Sequence, residues 1–511
     1  MQLFSGQNYK WWAFAALAIG LFSSVAYQGS IIVALPSIVD DFGTDLPTTQ
    51  WVLIGYALTI SAFLLPMGRV ADMVGRKTIY LIGFTLFVIG AAVAGAAPGI
   101  LALISATMFQ GLGAAMTQGT SMAMIIAAFP AAERGKALGL QMSVVGAGAI
   151  AGPAFGGVII DALDWRWAFY GNMLLAVVAV LTALVVIDSS KAGQGSADQR
   201  SFDWLGAILS TAALVSFLMG MTWGPRVGWM HPGIATALGM FASLLVAFVW
   251  WELRCPAPMM DVRLFKRRLF SLGVMAGYLS FVGMNSTRFL MPFYLQAALG
   301  FSPGKVGLTL MPAAAMMVVA GPLAGRLSDR FGVRLFTIGG MAACMSGLLL
   351  LSTLTPSSSF LWAMAGLTIQ SFGMGIFFPP NNSSILSAVE SSKYGVISGF
   401  LQLVRNAGNL TSIAVATAIV TATMASLGYA PSLADVSIDS DPGLITAFTS
   451  GLSLAYRTMV AFVFVAMVAS FFKGQAIALE SDKDSPKLPG EQPGAERAAA
   501  YRTPRLRKPT V

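Results

Sequence analysis

Fourteen predominantly apolar runs divide the chain, near 11–36, 49–68, 78–97, 100–129, 136–160, 166–188, 204–224, 233–251, 270–296, 304–325, 334–353, 359–385, 395–422 and 453–472. A bilayer core of roughly 30 Å takes about 20 helical apolar residues, so these runs are of spanning length. Hydrocarbon offers the backbone no hydrogen-bond partner, which makes helices the expected form of such spans. The sequence therefore predicts an all-α integral membrane protein with 14 transmembrane helices. Composition agrees: 56% of residues are hydrophobic and 10% charged, against about 45–50% and about 25% in soluble domains. That little charge cannot cover the surface of a soluble fold of 511 residues.

One stretch occurs twice. Gly68 to Lys77 (GRVADMVGRK) returns as Gly325 to Arg334 (GRLSDRFGVR), an offset of 325 − 68 = 257. Gln110-Gly111-Leu112-Gly113 and Gln370-Ser371-Phe372-Gly373 lie 370 − 110 = 260 apart. Six spans and their loops fill only roughly 190 to 200 residues, so the offset predicts two pseudo-symmetric six-helix bundles with two extra helices inserted between them. The expected boundaries are 1–188 for the first bundle, 189–203 for a polar linker, 204–251 for the inserted pair, 252–269 for a loop, 270–473 for the second bundle and 474–511 for a Pro-rich, charged tail expected to be disordered. Each copy of the repeated stretch reads as a tight turn. Gly68 and Gly75 are expected to permit it, Asp72 and Asp329 to cap a neighbouring helix, and Arg76 with Lys77 to hold it in water.

With the N-terminus inside, inner segments hold 25 of the 31 Lys and Arg, so the net charge of +9 is a topology signal. Nucleic acid is excluded as a partner. The first apolar run is too long for a cleavable signal and reads as a span. Two cysteines and one histidine, His231, cannot form a disulfide framework or a metal centre. No nucleophile with its base and no phosphate loop is present, which argues against an enzyme and against any cofactor. The expected setting is the cell inner membrane, multi-pass with both termini cytoplasmic; the expected partners are lipid, a small-molecule substrate and protons, acting on a monomer.

The loop signature Gly-x-x-x-Asp-x-x-Gly-Arg-Lys resembles that of the major facilitator superfamily. Gly146 to Gly157 (GAGAIAGPAFGG) resembles the antiporter motif of its exporters, and Asp164 to Asn172 (DWRWAFYGN) the start of their sixth helix. Ala34-Leu35-Pro36, Glu252 to Phe265 (ELRCPAPMMDVRLF) and Leu295 to Pro312 (LQAALGFSPGKVGLTLMP) are similar to the fourteen-helix drug:proton antiporter branch. The resemblance implies multidrug efflux by alternating access, with Gly152 and Pro153 sealing one face and Asp72 and Asp329 gating the other. It also shows departures: where that branch carries a first-helix Asp and a fourth-helix Arg, this chain has Tyr27 and Thr107.

Every carboxylate lies in a loop, a tail or near a span end, whereas Arg288 and Arg405 lie deep within apolar runs. Intramembrane charge is costly and points to function. Polar stripes at helical spacing accompany the two arginines: Thr107, Gln110, Thr117 and Ser121; Asn285 and Arg288; Gln402, Arg405, Asn406 and Asn409. With Gln28 and with Asn381, after Pro379-Pro380, they are the candidate substrate-binding residues: Gln28, Gln110, Thr117, Asn285, Arg288, Asn381, Gln402 and Arg405. Interhelical hydrogen bonding without substrate contact is the bland alternative for each. Export of amphipathic molecules is the leading expectation. A facilitator or exporter of an anionic or lipid-like substrate, and a non-transporting sensor of the same fold, remain open. If protons drive transport, Asp72, Glu133 or Glu390 would carry them.

Overall fold

The computed structural model describes residues 8–44, 46–130, 133–188, 202–256, 258–301, 303–390, 393–429, 433, 436 and 441–473. Fourteen of its helices are long and apolar enough to cross a membrane. We label them α1 (Tyr9–Phe42), α2 (Trp51–Val74), α3 (Arg76–Gly95), α4 (Ile100–Ala128), α5 (Arg134–Ala162), α6 (Arg166–Val186), α7 (Trp204–Val227), α8 (Pro232–Arg254), α9 (Arg268–Phe293), α10 (Pro303–Phe331), α11 (Val333–Leu351), α12 (Phe360–Leu386), α13 (Tyr394–Ser426) and α14 (Pro442–Phe472). No strand occurs among the described residues.

Two groups of six helices, α1–α6 and α9–α14, carry separate apolar cores. The internal repeat is visible as repeated contacts. Gly83 of α3 presses on Gly113 O of α4, and Gly340 of α11 on Gly373 O of α12. Gly90 packs on the backbone of Gln110, and Gly347 on that of Gln370. In both bundles a glycine on one helix lets the next approach to backbone contact. The inserted α7 packs against both α2 and α13, with α8 outside it.

α14 begins earlier than its apolar run predicts. The stretch around Asp441, read from sequence as outer loop, starts the helix at Pro442; proline suits a first helical position, and Ala447 and Phe448 are buried in the core. Asp435 and Asp439, expected in the same loop, lie outside the described residues, as do the tail and all of the linker except Phe202 and Asp203.

Candidate functional site

Both copies of the repeated stretch sit at the Lys- and Arg-rich end of the bundle, and there the bundles are latched together. Asp72, on α2, accepts hydrogen bonds from the Gly395 and Val396 N–H groups of α13 at 3.1 and 2.9 Å. Asp329, on α10, accepts from the Gly135 and Lys136 N–H groups of α5 at 3.2 and 3.1 Å. Each carboxylate thus caps a helix N-terminus of the opposite bundle, where free N–H groups and the helix dipole favour negative charge. Arg134 adds a 2.9 Å hydrogen bond to Tyr394 between the same two N-termini.

The glycines divide the work differently from the sequence expectation. Gly75 and Gly332 make the turns, at φ +114° and +90°. Gly68 makes none; it lies in α2, where a Cβ would stand 2.8 Å from Gly395 O. Its counterpart Gly325 meets Gly135 in the same way. These glycines let α2 reach α13 and α10 reach α5. Arg76 is buried, not solvated, and pairs with Asp72 at 2.9 Å. Lys77 is tied to the carbonyls of Leu184 and Ile187 at the end of α6.

The antiporter-like glycines hold α5 against α1 of its own bundle. Gly148 packs on Val25, Gly152 on Ala26 and Gly156 on Ser30, whose hydroxyl donates to Gly152 O at 3.0 Å. Pro153 is exposed and packs on Gly29. Only Gly146 in this stretch faces the other bundle, against Val318.

Further ties run from the latches toward mid-membrane. Gln402 donates to Gln118 Oε1 at 3.2 Å, Asn406 to Ser61 Oγ at 3.2 Å and Ser143 to Val318 O at 2.5 Å. Met142, Phe281, Met317 and Phe378 form an apolar plug between α5, α9, α10 and α12. The interface between the bundles is closed from the basic end through this level.

Arg288 and Arg405 come together at the site. Asn285 Nδ2 donates to Asn409 O at 3.4 Å, joining the polar faces of α9 and α13. Arg288, about one turn beyond Asn285, is surrounded by protein mass and yet exposed, as a side chain lining an internal cavity is. The charge of Arg288 acts on Arg405. Among the described residues neither guanidinium has a hydrogen-bonded or ion-paired partner. Gln28 on α1 is exposed as well.

Three predicted site residues are placed elsewhere. Gln110 is fully buried against Gly90 of α3. Thr117 is buried against Gly83, its hydroxyl donating to Ala114 O. Asn381 donates to Gly273 O and accepts from Lys473 Nζ at 2.7 Å, at the end of α14. Thr117 and Asn381 are engaged inside their own bundles, whereas the Gln110 amide is buried there without a hydrogen-bond partner. A cavity of about 450 Å³ opens between α7 and α13, lined by Met221, Trp229, Thr411, Val415 and Ile419 and by neither arginine.

A family model described as Major Facilitator Superfamily matches residues 17–413. The chain belongs to that superfamily. Among superfamily relatives it is similar to multidrug resistance protein Stp of Mycobacterium tuberculosis, 31% identical over 401 residues that cover 78% of this chain and 74% of that protein. It is 32% identical to riboflavin transporter RibZ of Clostridioides difficile over 398 residues, 78% of this chain and 85% of the relative. The human organic anion transporter MFSD10 (TETRAN) has the same fold, with a TM-score of 0.63, 13% identity, and coverage of 90% of this chain and 99% of that one. In this superfamily member Tyr27 is fully buried, its ring 5.0 Å from Tyr56 and 5.3 Å from Phe87. An aromatic cluster occupies the place where the first-helix carboxylate was looked for.

Proposed function

We propose that this transporter exports small amphipathic molecules carrying an anionic group, by alternating access across the cell inner membrane, with its basic end and both termini in the cytoplasm. One observation carries the reading: Arg288 and Arg405 share a region between α9 and α13 with no acidic partner. Two like charges held together in low-dielectric surroundings repel, and an anion bound between them relieves that cost. The multidrug relative supports export and a tolerant site, and a chain with 28 methionines has flexible apolar lining to offer. Latches closed at the basic end match the half of the cycle in which substrate leaves outward.

The test compares efflux of an anionic and a cationic dye of similar size from proteoliposomes. Arg288→Ala should slow the anionic dye at least tenfold and spare the cationic one, and Arg288→Lys should restore part of the loss, since it keeps the charge but not the planar fork. Equal losses for both dyes overturn the anion reading. Proton drive completes the proposal, but the carboxylates expected to carry protons are poorly suited. Asp72 is engaged in the latch and with Arg76. Glu133 is held below the usual carboxylate range by its hydrogen bond from Lys10 and so stays ionised. Glu390 lies exposed beyond the end of α12.

A further inference from the structure

The inserted hairpin brings two buried carboxylates together at the basic end. Asp203 caps the start of α7 and Glu252 lies in the last turn of α8; they are 7% and 4% exposed. Each has one oxygen spoken for. Asp203 Oδ1 accepts from Gly206 N–H and from Trp251 Nε1, both at 2.8 Å, and Glu252 Oε2 accepts from Met260 N–H at 3.3 Å. Each has one oxygen left over: Asp203 Oδ2 and Glu252 Oε1 are buried without a hydrogen-bond partner. Both flank the same point beside Gly206, where a Cβ would strike Asp203 Oδ2 and stand 3.0 Å from Glu252 Oε1. The absence of a side chain at Gly206 is what lets the two carboxyl groups face each other.

Burial favours the neutral form of a carboxyl group, and a like charge beside it adds to that cost, so two buried carboxylates at one point do not both ionise readily. A metal ion would ask for more ligands, and among the described residues no group of three or more His, Cys, Asp or Glu comes together. The charge of Arg69 on α2 also acts on Glu252. The connection after α8 contributes the Met259 and Met260 amides. The ionisable groups at the start of α13 have other partners: Lys393 lies 3.5 Å from Asp261, and Tyr394 holds Arg134.

We propose that Asp203 and Glu252 form a proton-binding site, the pair holding one proton while the basic end is closed, and that this site couples the exporter to protons through α2. The coupling role rests on the export reading above; the binding of the proton does not. The link runs along α2. The charge of Arg69 acts on Glu252, and Asp72, three residues on and therefore on the same face of α2, latches α13. Opening the latch moves α2 and with it Arg69, which changes how firmly the pair holds its proton; by reciprocity, taking up or losing the proton biases the latch.

Infrared difference spectra of the full chain in lipid nanodiscs, taken across a pH series, read the site without transport. The wild-type protein should show a protonated-carboxyl C=O band that titrates with pH. Asp203→Asn should move its midpoint down by removing the like charge, and the double variant Asp203→Asn/Glu252→Gln should abolish it. Arg69→Gln should move the midpoint the other way, an effect that misfolding does not mimic. Identical bands in the wild type and the double variant overturn the site. Coupling is read from spin labels at the exposed positions Thr78 and Arg330, in a Cys255→Ser background. Their separation should depend on pH in the wild type and not in the double variant; unchanged pH dependence in the double variant overturns the coupling role. Failure of the Arg288 dye experiment bears on cargo alone and leaves both readouts standing.

Discussion

At Gly75 and Gly332 the chain turns through positive φ with extended ψ, a conformation that costs other residues roughly 1–3 kcal/mol. Gly75→Ala is therefore expected to lower the melting temperature, whereas Gly68→Ala should leave the turn intact and push α2 from α13. Nothing in the sequence separates the two glycines, because a turn and a close helix crossing ask for the same missing side chain. Arg76 is a similar case: it was expected in water, and its burial follows from a partner, Asp72, one turn earlier on the continuous chain. Asp203 and Glu252 do not stand out in the sequence because each stands at the end of an apolar run, where a carboxylate is ordinary. The available signal was that both ends fall on one membrane side of a two-helix hairpin. Lys473 offers a pH test at this scale. Burial pushes its ammonium, held beside Asn381, down to about 7 from the ordinary 10.5. Between those limits the unfolded chain binds more protons, so stability rises with pH from about 7 to about 10.5 and is lost again as pH falls. Thermal unfolding of Lys473→Met across that range should show a flatter pH dependence than the wild type.

At the scale of elements, fourteen spans and the internal repeat were legible because length, apolarity and the doubled loop are local properties of the chain. Which neighbour covers a polar face is not. The stripe of Thr107, Gln110 and Thr117 is a real face of α4, but Gly83 and Gly90 let α3 cover it, and helical periodicity names a face without naming its occupant. The same limit applied to α5, whose small residues serve two contacts. Gly152 and Gly156 meet α1 within the bundle, while Gly139 meets Gly321 of α10 in the other bundle. A Cβ on Gly321 would stand 2.7 Å from Gly139 O. The two sets should separate experimentally. Gly321→Ala forces α10 from α5 and should widen the basic end in label-distance measurements. Gly156→Ala crowds Ser30 inside one bundle and should cost about 1–3 kcal/mol of stability without changing that distance.

For the whole molecule, the two latches set the balance between its states, and they are unequal despite the repeat. Asp72 is 5% exposed and ion-paired with Arg76. Asp329 is exposed, and the residue equivalent to Arg76 is Val333 (333 − 257 = 76), so it makes its two backbone bonds without a cation beside it. Hydrogen bonds to a charged group contribute about 1.5–3 kcal/mol each when well shielded from water, and exposure reduces the Asp329 pair below the Asp72 pair. Asp329→Asn should then shift the closed-to-open ratio by about tenfold, a change of roughly 1.4 kcal/mol, and Asp72→Asn by more. Asp72→Asn also strands buried Arg76, so Asp72→Asn/Arg76→Leu separates the latch from the ion pair. Label distances across the basic end should shift toward open in the order Asp329→Asn, then Asp72→Asn. Equal shifts would mean that the α2–α13 and α5–α10 crossings hold the basic end through their backbone contacts, with the carboxylates contributing little to the choice of state.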